Sequence, residues 1–161
     1  MILIALGANL ASLAGPPVAT LDAALCELAK RGITIQKRSG FYKSEAWPDP
    51  SDPSYVNAVV AIETSLSPEA LLAVLHEVEC AFQRERHAPN APRTLDLDLL
   101  DYEGRIEEGP PRLPHPRMET RAFVLVPLRE VAPFWHHPVS GRMVSELIER
   151  LPPGGIERLT P

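Results

Sequence analysis

The segment from Pro92 to Leu100, with the sequence PRTLDLDLL, constrains the fold of this chain more than any other. From Leu95 onward apolar and acidic residues alternate, which is the period of a β-strand buried on one face only. The leucines therefore point to one face, and Asp96 and Asp98 point side by side to the other. Adjacent carboxylates are easier to accommodate around a cation, so the pair indicates a hard metal such as Mg²⁺, with phosphate oxygens completing its shell. A solvated edge strand with outward acidic residues is the alternative.

Positive charge for such phosphates is available on both sides of this strand. Arg84, Arg86 and Arg93 lie around the preceding loop, and Arg121 follows further along the chain. The sequence has neither a GxxxxGK[ST] nor a GxGxxG motif, so bound phosphate must be held by metal and arginine rather than by a glycine-rich loop. Each arginine taken singly is more often a surface charge, but together beside the carboxylate pair they predict a triphosphate clamp.

Length and composition limit the possible partners. With 161 residues the chain can form one domain with a proper core, so we predict a single domain over residues 1–161. A formal net charge of −5 argues against a general nucleic-acid-binding protein, which is usually basic. The apolar start Met1–Gly7 is too short for a signal peptide or a membrane span and is predicted to be a buried strand. Cys26 and Cys80 fall in helical patterns and are predicted to be reduced core thiols, which favours the cytoplasm.

Clusters of proline separate the regular segments, because proline cannot donate to a ladder and breaks helices. Between them, periodicity predicts strands over 2–6, 33–43, 55–64 and 94–102, and helices over 16–31, 67–82, 126–131 and 143–151. The order β-α-β-β-α-β followed by a helical C-terminal part predicts a ferredoxin-like core with helices packed on an antiparallel or mixed sheet.

Other polar residues are candidates for binding. Tyr55 and Asn57 share one face of a predicted strand, where an aromatic plane beside an amide suits a flat heterocycle that is stacked and hydrogen-bonded. A half-exposed strand face is the alternative. His115 lies between two prolines in a stiff turn, and its alternative is a loop histidine without a function.

The remaining histidines are less informative. His76 and Glu79 lie three residues apart on a predicted helix, but no third metal ligand has a suitable spacing, so a solvated helix face is favoured. The pair His136 and His137 precedes a proline in a loop, and the sequence assigns it no role.

A series of short blocks follows in a fixed order along nearly the whole chain. They are Ala5–Leu10, Ser39–Ser44, Tyr55–Val60, Glu79 followed by Arg84, Pro92–Leu99, Leu113–Met118 and Arg121–Leu128. Each block is moderately specific, and together the chain resembles the 6-hydroxymethyl-7,8-dihydropterin pyrophosphokinases of folate biosynthesis. With the order of elements, the resemblance implies an α+β fold: a ferredoxin-like βαββαβ core in a three-layer α-β-α sandwich with a mostly antiparallel sheet.

The resemblance also implies a reaction and a set of site residues. Members transfer pyrophosphate from MgATP to the hydroxymethyl group of the dihydropterin and release AMP. Asp96 and Asp98 would then hold two Mg²⁺ ions on the triphosphate, and Arg84 and Arg93 would stabilise the moving charge. The implied pterin positions are Ser44, Trp47, Tyr55, Asn57 and Phe123. The implied ATP positions are His76, Glu79, Arg86, His115 and Arg121. ATP and the pterin are the expected partners of a cytoplasmic monomer, without nucleic acid or a membrane.

The chain also departs from the family pattern. The loop Pro89–Arg93 is shorter than is usual and carries no tryptophan, so a ring that closes over the substrates is missing unless Trp47 replaces it. We expect Trp47–Pro53 and His87–Pro92 to form mobile lids. Two alternatives stay open: a two-metal nucleotidyl or phosphoryl transferase with another acceptor, and a non-catalytic ferredoxin-like ligand-binding domain.

Overall fold

A computed structural model describes residues 1–45, 51, 53–82 and 94–160. Within these ranges the elements are β1 (Ile2–Ala8), α1 (Pro17–Lys30), β2 (Thr34–Arg38), β3 (Tyr42–Ser44), β4 (Tyr55–Glu63), α2 (Pro68–Ala81), β5 (Asp96–Tyr102), a 3₁₀ turn (Met118–Thr120), α3 (Ala122–Val131), α4 (Val144–Glu149) and β6 (Ile156–Arg158). None of the described helices combines the length and the hydropathy needed to cross a bilayer.

The strands form one sheet in the order β5-β1-β4-β3-β6, and β2 also pairs with β4. Every pairing between these strands is antiparallel. Strand β1 lies between β5 and β4, and all of its residues are buried because both faces of the sheet are covered at this point. The predicted antiparallel sheet is therefore confirmed.

Helices cover the two faces of the sheet and give each its own core. On one face α1 and α2 bury Leu28 and Leu75 against the strands, and Leu97 of β5 belongs to the same core. On the other face α3 and α4 contribute Leu125 and Leu147. These layers confirm the predicted α-β-α sandwich and the predicted leucine face of β5, and they direct the acidic residues of β5 toward the α3 side.

The start of α2 follows from its sequence. The Oγ atom of Ser67 accepts a hydrogen bond from the N–H of Ala70 at 3.2 Å, and Pro68 occupies the first position, where a missing N–H costs nothing. Helix α3 begins at Ala122, four residues before the predicted start, because the segment Ala122–Leu125 continues the apolar stripe of the later residues onto the sheet.

The single strand predicted over 33–43 is wrong, since β2 and β3 are separate strands. Between them the N–H of Ser39 donates to the carbonyl of Val59 at 2.9 Å, and its Oγ accepts from the N–H of Val59 at 2.9 Å. The Ser39 side chain thus replaces part of the ladder where the chain departs from β4. Strand β6 was not predicted, because three residues are too few to show a period.

The predicted burial of the two cysteines is also wrong, since Cys26 and Cys80 are both exposed. Each lies on a helix whose buried stripe passes through other positions, Leu21, Ala24 and Leu28 in the case of α1. At about 100° per residue, Cys26 lies on the opposite side of that helix.

The carboxylate of Glu130 in α3 binds Arg158 and so stabilises the position of strand β6 on the sheet. That carboxylate accepts hydrogen bonds from the Tyr42 hydroxyl at 2.6 Å, from the Arg158 guanidinium at 2.9 Å and from the N–H of Gly40 at 3.0 Å. Burial opposes ionisation of Glu130, but the hydrogen bonds from Arg158, Tyr42 and Gly40 outweigh it and lower the pKa of Glu130. One side chain therefore joins α3, β3 and β6.

Replacing Glu130 by alanine should lower the free energy of unfolding by about 1–2 kcal/mol at pH 7, a modest cost because the site is partly exposed to solvent. Because the folded-state pKa of Glu130 lies below its ordinary value of 4.5, the stabilisation is present above that pH and is lost as the pH falls through the folded-state pKa. Urea unfolding at pH 7 and pH 3 measures both effects. Glu157→Ala, an exposed change in β6, is the control, and equal unfolding of both variants at pH 7 would contradict the role of Glu130.

Candidate active site

A cleft of about 530 Å³ opens on the α3 side of the sheet. Its floor is the end of β1 together with the first residues of β4 and β5. Its walls come from Arg117 and the segment Thr120–Val124, from Ser44 and Glu45, and from Gly154 and Gly155. The antiparallel order brings the end of β1 beside the starts of both neighbouring strands. Residues that are far apart in sequence thus line one cleft.

The floor of the cleft is arranged in rows across the three strands. Gly7 of β1 lies opposite Asn57 of β4 and opposite Asp96 of β5. Ala5 is paired with Asp98 in the same way. Paired residues of antiparallel strands point to one face, so Gly7 alone lies between Asn57 and Asp96, and the small side chain of Ala5 lies next to Asp98. A Cβ atom on Gly7 would lie 3.1 Å from Asn57 Oδ1, so glycine leaves room for that amide.

The predicted amide and aromatic groups line this cleft. Asn57 is 4% exposed, and its Nδ2 donates to the Oγ of Ser44 at 2.9 Å. Tyr55 and Phe123 line the same cleft from β4 and from the start of α3, and the Arg121 guanidinium lies 5.5 Å from the centroid of the Phe123 ring. The structure therefore brings four of the predicted pterin positions together.

The carboxylates of Asp96 and Asp98 line the other part of the cleft, both half-buried. Over the described ranges, with their gaps at 46–50, 52 and 83–93, no group of three or more His, Cys, Asp or Glu residues could hold a metal. Neighbouring hard oxygen ligands with few other protein donors fit Mg²⁺, which keeps several waters and binds through one or two carboxylates and substrate phosphates. The donor set suits a metal carried by a phosphate ligand better than a closed structural site.

His115 lies beside the carboxylates, with its Nε2 4.0 Å from Asp98 Oδ2. The backbone N–H of His115 donates to the carbonyl of Leu100, and the ring Nδ1 accepts from the backbone N–H of Arg117 at 3.2 Å. Burial is the main cause that lowers the pKa of His115 to about 4; the charges of Arg121 and Arg117 act in the same direction, and Asp96 only partly opposes them. The ring is therefore neutral at pH 7, and its single proton lies on Nε2 because Nδ1 is an acceptor.

Comparison with known proteins identifies the family. The model of the family described as 7,8-dihydro-6-hydroxymethylpterin-pyrophosphokinase (HPPK) matches residues 3–133. The chain belongs to this family. A 2-amino-4-hydroxy-6-hydroxymethyldihydropteridine pyrophosphokinase of Synechocystis is 43% identical over 150 residues, 92% of this chain and 74% of the relative. The protein of that name in Methylorubrum extorquens is 39% identical over 158 residues, 97% of this chain and 96% of the relative.

Solved structures agree on the fold. A Plasmodium falciparum HPPK-DHPS crystal structure, a double mutant with pterin and p-hydroxybenzoate, superposes with a TM-score of 0.71 at 11% identity and covers 92% of this chain. The chain spans 43% of that longer protein.

Pyrophosphokinases are ATP-dependent enzymes, so membership of the family identifies this chain as an enzyme with ATP as a co-substrate and small molecules as its substrates.

Two positions implied on the ATP side lie elsewhere. The Glu79 side chain is buried, and its Oε2 accepts from the N–H of Leu97 at 2.9 Å, at the outer edge of β5 and between the two aspartates in sequence. His76 is exposed on α2. Neither lines the cleft as the described residues form it. Trp47, Arg84, Arg86, Arg93 and the greater part of both expected lids lie outside the described residues.

The cleft also contains residues that the sequence did not single out. Arg117 and Thr120 line it from the 3₁₀ turn and its flank, and Gly154 and Gly155 line it just before β6. Arg117 lies inside the family block Leu113–Met118, so its position in that block was a usable signal. The two glycines gave no signal, because only the pairing of β6 with β3 brings them to the cleft.

The neutral state of His115 can be measured directly. In the ligand-free protein, the Cε1–H resonance of His115 should titrate at about pH 4, against an ordinary value of 6.5 that the urea-unfolded chain should approach. Because the unfolded state binds this proton first, the free energy of unfolding should fall as the pH is lowered from 6.5 toward 4. A folded-state titration near 6.5 would show that burial and the arginines do not control the ring.

Proposed function

We propose that the chain transfers pyrophosphate from MgATP to the hydroxymethyl group of 6-hydroxymethyl-7,8-dihydropterin, giving AMP and the pterin diphosphate for tetrahydrofolate biosynthesis. The observation that carries the proposal is the floor of the cleft, where Gly7 alone separates Asn57 from Asp96. A heterocycle held by the amide would place its substituent near a phosphate held at the carboxylates. Membership of the pyrophosphokinase family supports the same reaction.

The amide end of the cleft suits a pterin. The ring edge of a pterin carries both donors and acceptors, and the carboxamide of Asn57 offers one of each. Its orientation is fixed because Ser44 accepts from Nδ2, which leaves Oδ1 as an acceptor on the cleft side near Gly7. Tyr55 and Phe123 add aromatic surface for a flat ring. We propose that Trp47 contributes there as well.

The carboxylate end suits the triphosphate. Asp96 and Asp98 would hold Mg²⁺ ions, which neutralise phosphate charge when bound. We propose that Arg84 and Arg93 stabilise the charge that moves, and that His76, Glu79, Arg86, His115 and Arg121 serve the ATP side. The placement of Glu79 favours an indirect part in this set, because its carboxylate fixes the backbone of β5 at Leu97.

The chemistry requires little covalent help from the protein. The hydroxymethyl oxygen attacks the β-phosphorus, the bond from that phosphorus to the oxygen bridging the α-phosphate breaks, and AMP leaves. Such in-line transfers depend on positioning and on neutralising charge. Neutral His115 can donate a hydrogen bond from Nε2 without adding a positive charge, whereas Arg117 and Arg121 supply charge at the wall of the cleft.

The test is AMP formation from MgATP with and without 6-hydroxymethyl-7,8-dihydropterin. We expect AMP and pterin diphosphate in equal amounts, neither without pterin, and neither after Mg²⁺ is chelated. AMP or ADP formation that is indifferent to pterin would favour a transferase with another acceptor. A folded protein that binds pterin without turnover would favour a binding domain.

We propose further that residues 1–161 act as one pyrophosphokinase domain, since a single sheet supports both cores and the cleft. The monomeric state and the cytoplasmic location stay predictions from the sequence. Light scattering of the purified chain measures the first.

A further inference from the structure

Two adjacent histidines, to which the sequence assigns no role, occupy opposite environments. His136 is exposed, whereas His137 is only 4% exposed. Both lie between α3 and α4, away from the floor of the cleft. A buried ionisable ring outside the described site needs polar partners, and these partners indicate what it does.

The ring of His137 is held in one orientation. Its Nδ1 accepts from the N–H groups of Val139 and Ser140, each at 3.2 Å. The ring also meets Trp135 edge to face, with 5.8 Å between centroids. Because Nδ1 is an acceptor twice over, the Nε2 atom carries the ring proton.

That Nε2 atom lies 3.2 Å from Oε1 of Glu119. Glu119 belongs to the 3₁₀ turn Met118–Thr120, which carries Arg117 and Arg121 on its two flanks, and both arginines line the cleft. A short turn has few backbone hydrogen bonds of its own, so an outside contact has a large effect on its position. His137 therefore contacts the turn at Glu119, which lies between Arg117 and Arg121 in the sequence.

The same support extends to the strand that bears the carboxylates. Trp135, which packs against His137, donates from Nε1 to Asp101 Oδ2 at 2.8 Å. Asp101 lies on β5, three positions after Asp98 in the sequence. The loop around His137 thus contacts both β5 and the arginine-bearing turn, the two sides of the phosphate end of the cleft.

We propose that His137 is a positioning residue of the enzyme, which through Glu119 sets the turn from Arg117 to Arg121 and so the placement of these two guanidinium groups on the phosphates of the nucleotide. The inference rests on the proposed function. It concerns the nucleotide end, because the charges of Arg117 and Arg121 act on His115, whose ring lies beside the Asp98 carboxylate.

The test compares His137→Ala, His137→Gln and His136→Ala. We expect His137→Ala to raise the KM for MgATP and the Kd for the Mg²⁺ complex of α,β-methylene-ATP about tenfold, with the KM for the pterin within about twofold. His137→Gln keeps an N–H donor at the far end of the side chain and should recover most of the loss. His136→Ala should match the unchanged enzyme.

Several results would overturn the proposal: unchanged nucleotide affinity in His137→Ala, equal increases in both KM values, or no recovery in His137→Gln. If His137→Ala does not fold, Glu119→Ala, at a half-exposed carboxylate, removes the acceptor of the same contact and should weaken binding of the analogue in the same way. Calorimetry with the analogue needs no turnover. A failure of the proposed reaction would therefore appear in the AMP assay and leave this measurement intact.

Discussion

Replacing Asp98 by asparagine is expected to lower the rate of AMP formation by about 10³-fold while the protein stays folded. The amide has almost the volume of the carboxylate, so the packing of β5 is preserved. What is lost is a negative oxygen ligand at the cleft, beside Asp96 on the same face of the strand. The measurement is steady-state AMP release at saturating substrates, with thermal unfolding as the check on folding.

The matched control is Asp22→Asn on α1, which removes an exposed carboxylate from the opposite layer of the sandwich. It should leave AMP release unchanged. The double variant of Asp96 and Asp98 should be little worse than Asp98→Asn alone, because ligands of one metal assembly act as a unit. The Mg²⁺ concentration for half-maximal activity should rise in Asp96→Asn. A decrease of less than about tenfold in the rate of AMP formation by Asp98→Asn would contradict the assignment of Asp98 as a metal ligand.

The acidic strand shows what local sequence can predict. Leu97 lies in the core shared with α1 and α2, and Asp96 lies on the other face, as the period of two requires. That prediction needed no knowledge of the partner strands, since the alternation of apolar and acidic residues by itself indicates burial on one face. The three-layer arrangement followed in a similar way from the order of elements and from the family resemblance.

Pairing across the sheet was beyond such reasoning. The contact of Gly7 with Asn57 and Asp96 depends on the registers of two strand pairs, which are set by the packing of the whole sheet. The break at Ser39 was hidden because a side chain replaces backbone ladder bonds there. Arg117 and Gly155 reach the cleft only through a turn and a strand pairing that no periodicity marks. The site was thus predictable as a set of residues and not as a geometry.

Replacing Asn57 by leucine is expected to lower kcat/KM for the pterin by about 10²-fold and to leave the Kd for the Mg²⁺ complex of α,β-methylene-ATP unchanged. Leucine fills a similar volume but removes both the donor to Ser44 and the acceptor on the cleft side. Fluorescence quenching of the pterin in the presence of the analogue measures binding directly. Ser44→Ala, which keeps the amide but frees it to rotate, should show a smaller loss.

The addition of a single methyl group at Gly7 tests the position of the Asn57 amide. In Gly7→Ala the new Cβ would lie 3.1 Å from Asn57 Oδ1, so the amide must move by a few tenths of an ångström. We expect the KM for the pterin to rise about tenfold, since misplacing a group that orients the substrate is costly. If the methyl group acts through the amide, Gly7→Ala should add almost nothing to Asn57→Leu, because residues in contact are not additive. Full additivity would mean instead that the alanine blocks the pterin directly, and that the glycine is needed for the ligand rather than for Asn57.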